Sequence, residues 1–523
     1  MNSPKECLLA IDAGTGSCRS VIFDRDGNQI SFSQREWRHT PIARYPGSQT
    51  FDTKSNWKLI SLCIRESLQK ARIDDQSKIK AVSTTSMREG MVLYNRWNEE
   101  IWACPNVDSR ANKEAGYLVR SGKAKKIYFL SGDWVSITSP PRFLWIKKND
   151  PEIFRETAHM GMLGDWILFK LCGQFVTEPS IGSSSGLFDL KKRTWSKEII
   201  EICGLKEEVF PDLVQAGTPI GEVTREASSA TGLKFGTPVV VGGADTQLGL
   251  AGLGITKPGQ ITIIGGSFWQ HTILLDKPLV DPGIRLRTLC NAIPGQWMME
   301  GIGFYCGLTM HWFRDAFCED EKNEAVRLNL DPYLLMDRKA GTVPPGANGV
   351  LGIFSNLMNS ARWVHASPAF IQFEITNPER SGKKECIRAI EEAAGFVSLG
   401  HLEIIELITK TKPKEITFTG GGSKSLLWPQ ILADMLEVQI NVPVVKESTA
   451  LGAAICAGVG AGYYKSLKTA GSDLIKFEMT FDPNSSVTKE YALLYQNWRK
   501  IYAEMQRISE EGLVAPLWKA AGT

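Results

Sequence analysis

Short apolar runs that end in glycine alternate along this chain with longer stretches of helical spacing. Cys7-Leu8-Leu9-Ala10-Ile11 reads as a buried strand ending at Asp12. Ala13-Gly14-Thr15-Gly16-Ser17 is a glycine turn, Ser20 to Asp24 returns as a second strand, and Asp26-Gly27 is a further hairpin turn. The same arrangement recurs in the second half. There Gln260 to Ile264 is a strand, Gly265-Gly266-Ser267 a turn, and Phe268 to Leu275 apolar again. Between them Pro238 to Val241 leads through Gly242 and Gly243 to Asp245, with a helix over Gln247 to Leu253. Later, Ile416 to Thr419 runs into Gly420-Gly421-Gly422-Ser423 and a helix over Leu426 to Leu436. Alternating strands and helices make this an α/β chain. A hairpin opening each half reads either as two ordinary hairpins or as a duplicated domain, whose halves could face each other and share one polyphosphate.

Composition narrows the partners. The 523 residues allow two to four domains at roughly 100–200 residues each. Sixty basic and 57 acidic side chains leave a net charge of +3, which gives no electrostatic footprint for nucleic acid. No apolar run approaches the roughly 18–20 residues of a membrane span, and the first residues do not read as a signal peptide. Eleven cysteines without CxxC pairs read as reduced thiols of a cytoplasmic protein. The six histidines show no metal-ligand spacing. A GxxxxGK[ST] loop is absent, and Gly301 to Gly307 has the wrong spacing for a dinucleotide loop.

The chemistry concentrates at the turns. Bare glycine backbone lets N–H groups converge on an anion, and the hydroxyls of Thr15, Ser17 and Ser267 can add to them. Asp12 and Asp245 both follow strands. If the hairpins face each other, these acids share one cleft, as phosphoryl transfer requires of a metal-associated carboxylate and a general base. Gly242 and Gly243 would let a substrate approach the backbone there. Spacing equally allows Asp245 to be a helix cap. The segments Ser86-Met87-Arg88-Glu89-Gly90 and Asn106 to Arg110 place opposite charges in loops, either for a ligand or as surface ion pairs.

Seven ordered motifs carry a resemblance over about residues 6–465: IDAGTGSCRSVIFD, SMREG, VDSR, GDWILFKLCG, VVVGGADTQ, FTGGGSKSLLWPQILAD and ESTALGAAICAGVGAG. In this order they resemble the FGGY carbohydrate kinases. The resemblance implies two actin-like, ribonuclease H-like ATPase domains, residues 1–255 and 256–523, around a cleft for ATP and substrate. It further implies Asp245 as catalytic base and Asp12 with Asp245 as acids that hold Mg²⁺ partly through water. Gly14, Thr15, Ser17 and Arg19 match the first nucleotide loop, Gly265, Gly266 and Ser267 the second. Gly307, Gly421, Gly422 and Ser425 match further ATP contacts. Arg88 and Glu89 match the pair that holds substrate hydroxyls in glycerol-phosphorylating members.

Departures bear on the acceptor. Thr246 stands where those members have Gln, Gly265 where they have Thr, and His311 where a later stretch has Gln. IFSNLMNSARW replaces a GER-type motif. Together with GSFWQ, GLTMHWFRDAFC and the final LWKAAGT, it resembles one branch of the family. That likeness implies phosphorylation of linear dihydroxypentanedione on its primary hydroxyl, a pentulose or other polyol being the alternative. Trp269 reads either as a wall for a small methyl-bearing substrate beside Thr246 or as core. A nucleotide-gated binding protein without an acceptor is the rival from another class, and the Arg88-Glu89 loop argues against it. The segment 466–523 reads as helical, with Trp498 and Trp518 and no assigned role.

Overall fold

The computed structural model describes residues 6–517 except 361, 363 and 446. Trp518, the rest of the LWKAAGT ending after Leu517, and two positions of the 353–363 stretch therefore lie outside the described residues.

Two twisted sheets are wound in the same way. In the first, β1 (Cys7–Ala13), β2 (Ser17–Phe23) and β3 (Gln29–Glu36) form an antiparallel meander. The strand β4 (Ile79–Ser86) joins β1 in parallel. Beyond it come β5 (Pro219–Glu222) and β6 (Pro238–Ala244), giving the order β5-β6-β4-β1-β2-β3. The second sheet contains β7 (Ile261–Gly265), β8 (Trp269–Leu275), β9 (Arg287–Cys290), β10 (Trp297–Gly303), β11 (Glu415–Thr419), β12 (Gln439–Pro443) and β13 (Phe477–Phe481). Its order is β9-β10-β8-β7-β11-β12-β13. Each sheet thus has a meander on one side of its first strand and two parallel strands on the other, the duplication that the paired hairpins allow.

The central strands are buried on both faces, so they read as continuous apolar runs rather than alternating ones. Helix α1 (Thr53–Lys70) covers one face of the first sheet through Ile60, Ile64 and Leu68. The other face is covered from the far half of the chain. Short side chains of α7 (Ser448–Gly460), among them Ala450, Ala453 and Ala457, pack on Leu8, Ala10 and Val240. The helices that open and close this crossing touch backbone to backbone. A Cβ on Gly252 of α2 (Asp245–Gly252) would strike the Ser448 carbonyl oxygen, and one on Gly452 would strike that of Leu248. The cut at 255/256 falls between α2 and β7, yet α7 belongs by packing to the first sheet.

In the second half, α3 (Cys306–Phe317), α4 (Pro332–Ala340), α5 (Lys383–Thr409) and α6 (Leu427–Leu436) surround the sheet. The tail is part of this core. Helix α8 (Ser485–Glu510) presents Tyr491, Tyr495, Trp498 and Tyr502 as one stripe, and three of these rings lie within 6.4 Å of Phe396 of α5. The Trp498 indole N–H donates to the Gly352 carbonyl at 3.1 Å. All eleven cysteines are free and buried. Among the described residues no helix is long and apolar enough to cross a membrane.

Candidate active site

Strand register assembles the acids. Asp12 near the end of β1 lies beside Thr85 of β4, and Gly243 of β6 lies on the other side of the same threonine. Asp245 then opens α2 just past β6. Its Oδ1 accepts the backbone N–H of Thr246 at 2.7 Å, so it does take one of the helix's free donors. Its side chain is still 32% exposed, and the Arg88 Nε stands 3.7 Å from that oxygen. Burial raises the Asp245 pKa, with Arg88 opposing and the charges of Glu89 and Glu300 adding to the rise. Burial also pushes Asp12 up to about 7, against the pull of Arg19 and with Asp245 and Glu447 raising it further.

Two carboxylates raised chiefly by burial, one of them further by the charge of the other, are a donor set that suits a hard divalent cation. Among the described residues no group of three or more His, Cys, Asp or Glu side chains could hold a metal. Mg²⁺ usually takes one or two carboxylates and completes its shell with water and phosphate oxygens.

The Arg88-Glu89 loop is no surface pair. Both residues are buried, and Glu89 sits at φ 62°, a left-handed conformation that costs a non-glycine residue energy. The Glu89 carbonyl accepts from Arg142 Nη1. Arg88 gives Nη1 and Nη2 to the two oxygens of Glu300, at 3.1 and 3.2 Å. From the other side Arg287 gives Nε and Nη2 to Glu300 Oε1, at 2.9 and 2.7 Å, and Nη1 to Glu89 Oε1 at 2.9 Å. The two guanidiniums hold Glu300 at a pKa of about 2 although it is fully buried. The VDSR segment is likewise internal. Arg110 pairs with Asp108 at 2.6 Å, and Arg142 Nη2 gathers the carbonyls of Pro105, Asn106 and Asp108.

A separate cavity of about 400 Å³ lies wholly in the second half. Its lining contains Gly265, Gly266, Ser267, Gly307, Gly421, Gly422 and Ser425, together with His311, Tyr333, Asp337, Lys424 and Trp428. Glycine is required where its three turns meet. A Cβ on Gly307 would collide with the Gly266 carbonyl oxygen, and Gly420 sits at φ 93° with its Cα against Gly265. The cavity wall does not include the first loop. There the carbonyls of Gly14 and Thr15 accept from the Trp37 indole at 3.1 and 3.0 Å, and Asn106 donates to Thr15 Oγ1 at 2.9 Å. Gly14 N–H closes the turn on the Ser17 carbonyl. Arg19 bridges Asp12 at 3.9 Å and Glu447 at 2.8 Å.

Two expectations change. Trp269 is fully buried, with its ring 5.2 and 5.0 Å from Phe418 and Trp428 in the second-half core, so it does not wall the acceptor. Strand alternation turns its neighbour Gln270 to the cleft instead, where its Oε1 accepts from Thr246 Oγ1 at 3.4 Å. The glycines before Asp245 serve the protein rather than a substrate. A Cβ on Gly242 would strike the Thr84 carbonyl at a bulge in β6, and one on Gly243 would meet Ser180, Glu178 and Ala292. Sequence reasoning did not find Asp133, Gln270, Arg287, Glu300 or Glu447. A charge inside the apolar run Trp297-Met298-Met299-Glu300 was the available signal.

Similarity to known proteins agrees with this geometry. The model of the N-terminal domain of the FGGY family of carbohydrate kinases matches residues 7–252, and that of its C-terminal domain residues 269–461. Autoinducer-2 kinase of Yersinia enterocolitica is 43% identical over 98% of this chain and 98% of its own length. Autoinducer-2 kinase of Photorhabdus laumondii is 43% identical over 100% of this chain and 98% of its own. In fold the chain is similar to the xylulose kinase of Lactobacillus acidophilus (TM-score 0.84, 21% identity, 96% of this chain and 98% of that one). The glycerol kinase of Plasmodium falciparum with ADP is similar in the same way (TM-score 0.84, 19% identity, 96% and 99%). The two sheets, the acids where their strands end and these matches together make the chain a member of the FGGY family of carbohydrate kinases.

Proposed function

We propose that this kinase phosphorylates autoinducer-2, as linear dihydroxypentanedione, on its primary hydroxyl at the expense of ATP. The observation that carries the acceptor is the full-length 43% identity to proteins named autoinducer-2 kinase. The site supplies matching chemistry. Asp245 is the one carboxylate of the buried charge cluster that keeps substantial exposure, so it is the group able to take the proton of an attacking hydroxyl. The cavity lined by Gly265, Gly307 and Gly421 is of a size for a nucleotide. The loop from Gly14 to Arg19 would meet the phosphates from the opposite half. Asp12 and Asp245 would hold Mg²⁺, which offsets charge between the phosphates when bound. Four carboxylates, Glu89, Asp133, Asp245 and Glu300, surround two guanidiniums, an excess of negative charge that suits a neutral acceptor. The cytoplasm is the compartment of this reading, because ATP is supplied there and a phosphorylated product is retained.

The test is ATP consumption by the purified protein with Mg²⁺ and dihydroxypentanedione, xylulose, ribulose, glycerol or no acceptor. Turnover confined to dihydroxypentanedione supports the proposal. Faster turnover of a pentulose or glycerol replaces the acceptor and keeps the kinase.

A further inference from the structure

Glu300 divides two arginines that are used in the same way. Arg88 spends both terminal nitrogens on Glu300 and turns Nε toward Asp245 Oδ1, 3.7 Å away. Arg287 spends Nε and Nη2 on Glu300 and one Nη1 hydrogen on Glu89 Oε1 at 2.9 Å, which leaves the second Nη1 hydrogen for Asp133 Oδ2, 3.6 Å away. Both open gaps are too long for a direct hydrogen bond, while the locked arms are 2.7 to 3.2 Å. Each gap therefore separates a charged donor from a charged acceptor by slightly more than contact.

The gap at Asp133 is buried. Asp133 is 5% exposed and Arg287 is 7% exposed. Among the described residues Asp133 Oδ2 accepts no hydrogen bond, while its Oδ1 takes the Trp134 N–H at 2.8 Å. A buried carboxylate oxygen without a donor is costly and calls for a partner. The gap is also fixed from outside. The helix Lys123–Ser131 ends on Gly132 at φ 78°, and the Thr288 N–H donates to the Gly132 carbonyl at 2.9 Å. The Tyr128 hydroxyl holds the Leu286 carbonyl. These bonds set Asp133 against the strand that carries Arg287, and a side chain at position 132 would collide with Thr288.

We propose that Asp133 is a second acceptor-binding residue: a hydroxyl of the acceptor, other than the one phosphorylated, enters between Asp133 and Arg287, donating to Oδ2 and accepting from Nη1. A hydroxyl is the smallest group that offers one donor and two acceptor sites at once, so it satisfies both sides of the gap. A hydrated carbonyl presents the same group. The reacting hydroxyl takes the equivalent place between Asp245 and Arg88. The acceptor class is thus a neutral molecule with at least two hydroxyls, one for each guanidinium–carboxylate gap. Burial lifts Asp133 to about 6 against the pull of Arg287, which leaves it mostly ionised, as an acceptor of hydrogen bonds, at neutral pH and above. This assignment rests on the reading that the Asp245 end of the cleft receives the acceptor.

The test compares the wild type with Asp133→Asn and Asp133→Ser, using whichever compound of the acceptor panel the wild type turns over fastest. Expected is a rise in the acceptor KM of roughly tenfold or more, the usual worth of a hydrogen bond to a charged group. The ATP KM should stay within about twofold, with an unchanged melting temperature in at least one variant. An acceptor KM within about twofold of wild type would overturn the proposal and leave the gap to a bridging water. A parallel loss of ATP binding and melting temperature in both variants would also overturn it and make Asp133 structural. If a pentulose proves the best substrate, the dihydroxypentanedione reading fails and Asp133 is judged on the pentulose. If no acceptor is turned over, both fail.

Discussion

Arg88 Nε stands 3.7 Å from Asp245 Oδ1, and Arg88 cannot come closer without releasing Glu300, which it grips through both terminal nitrogens. The arginine thus acts on the acid through charge at a fixed distance. Burial raises the Asp245 pKa and Arg88 is the main force against that rise. A base must be ionised to accept a proton, so activity is lost as pH falls through this pKa.

Replacing Arg88 with Met should move the acid limb of the kcat/KM profile upward in pH, by about one unit or more, since a neighbouring opposite charge commonly shifts a carboxylate by 1–3 units. Glu300 keeps its two bonds from Arg287 in that variant. A limb that stays in place would show that Arg88 does not set the charge of Asp245.

Asp245→Asn keeps the shape and an oxygen for the Thr246 N–H but cannot take a proton. Turnover should fall roughly 10²–10⁴-fold, the range for a lost general base. The nucleotide cavity is lined elsewhere, so the ATP KM should change little. Steady-state assays that find only a few-fold loss of kcat would remove Asp245 from this role.

The strands of both hairpins, the glycine turns and the order of the acids were legible because they are local patterns. What the sequence did not carry was pairing. Arg287 and Glu300 face each other only through the register of β9 and β10, so the charge inside an apolar run marks Glu300 but not its partner. Trp269 and Gln270 alternate as any strand does, but with apolar residues on both faces of β8 the pattern does not say which side is the cleft. The role of Gly242 follows from a bulge between Val240 and Gly243, a feature of the neighbouring strand as much as of its own. The aromatic stripe of α8 announces a helix but not that Phe396 is its partner.

The Gly307 contact makes a test that separates the two ends of the cleft. Gly307 lies in the first turn of α3, with its Cα against the Gly266 carbonyl oxygen. Ala at this position must push the second hairpin away from the helix. Overpacking of this kind costs about 1–3 kcal/mol, or roughly ten- to a hundredfold in affinity if the cavity bears it. The ATP KM should rise accordingly while the acceptor KM stays near its original value. An unchanged ATP KM with a lowered melting temperature would mean that nucleotide is bound elsewhere.

Two buried acids outside the cleft give the empty protein a pH dependence of opposite sign to that of ordinary surface carboxylates. Asp165 is lifted by burial from 3.8 to about 8, against the Met162 N–H and the Thr177 hydroxyl and with the charge of Glu178 adding to the rise, and Glu178 from 4.5 to about 7, against Ser180, Arg193 and the Ile181 N–H. Between the unfolded and folded values the unfolded chain binds fewer protons than the native one. Stability therefore falls as pH rises from about 4 to about 8 through these two groups. Calorimetry should find a higher melting temperature at pH 6 than at pH 8. Asp165→Asn, which keeps an acceptor for the Met162 N–H and has no proton to lose, should flatten that slope and melt higher than the wild type at pH 8. A variant that melts lower at pH 8, or a wild type that stabilises from pH 6 to pH 8, would show that Asp165 is held ionised by a partner stronger than the Met162 amide.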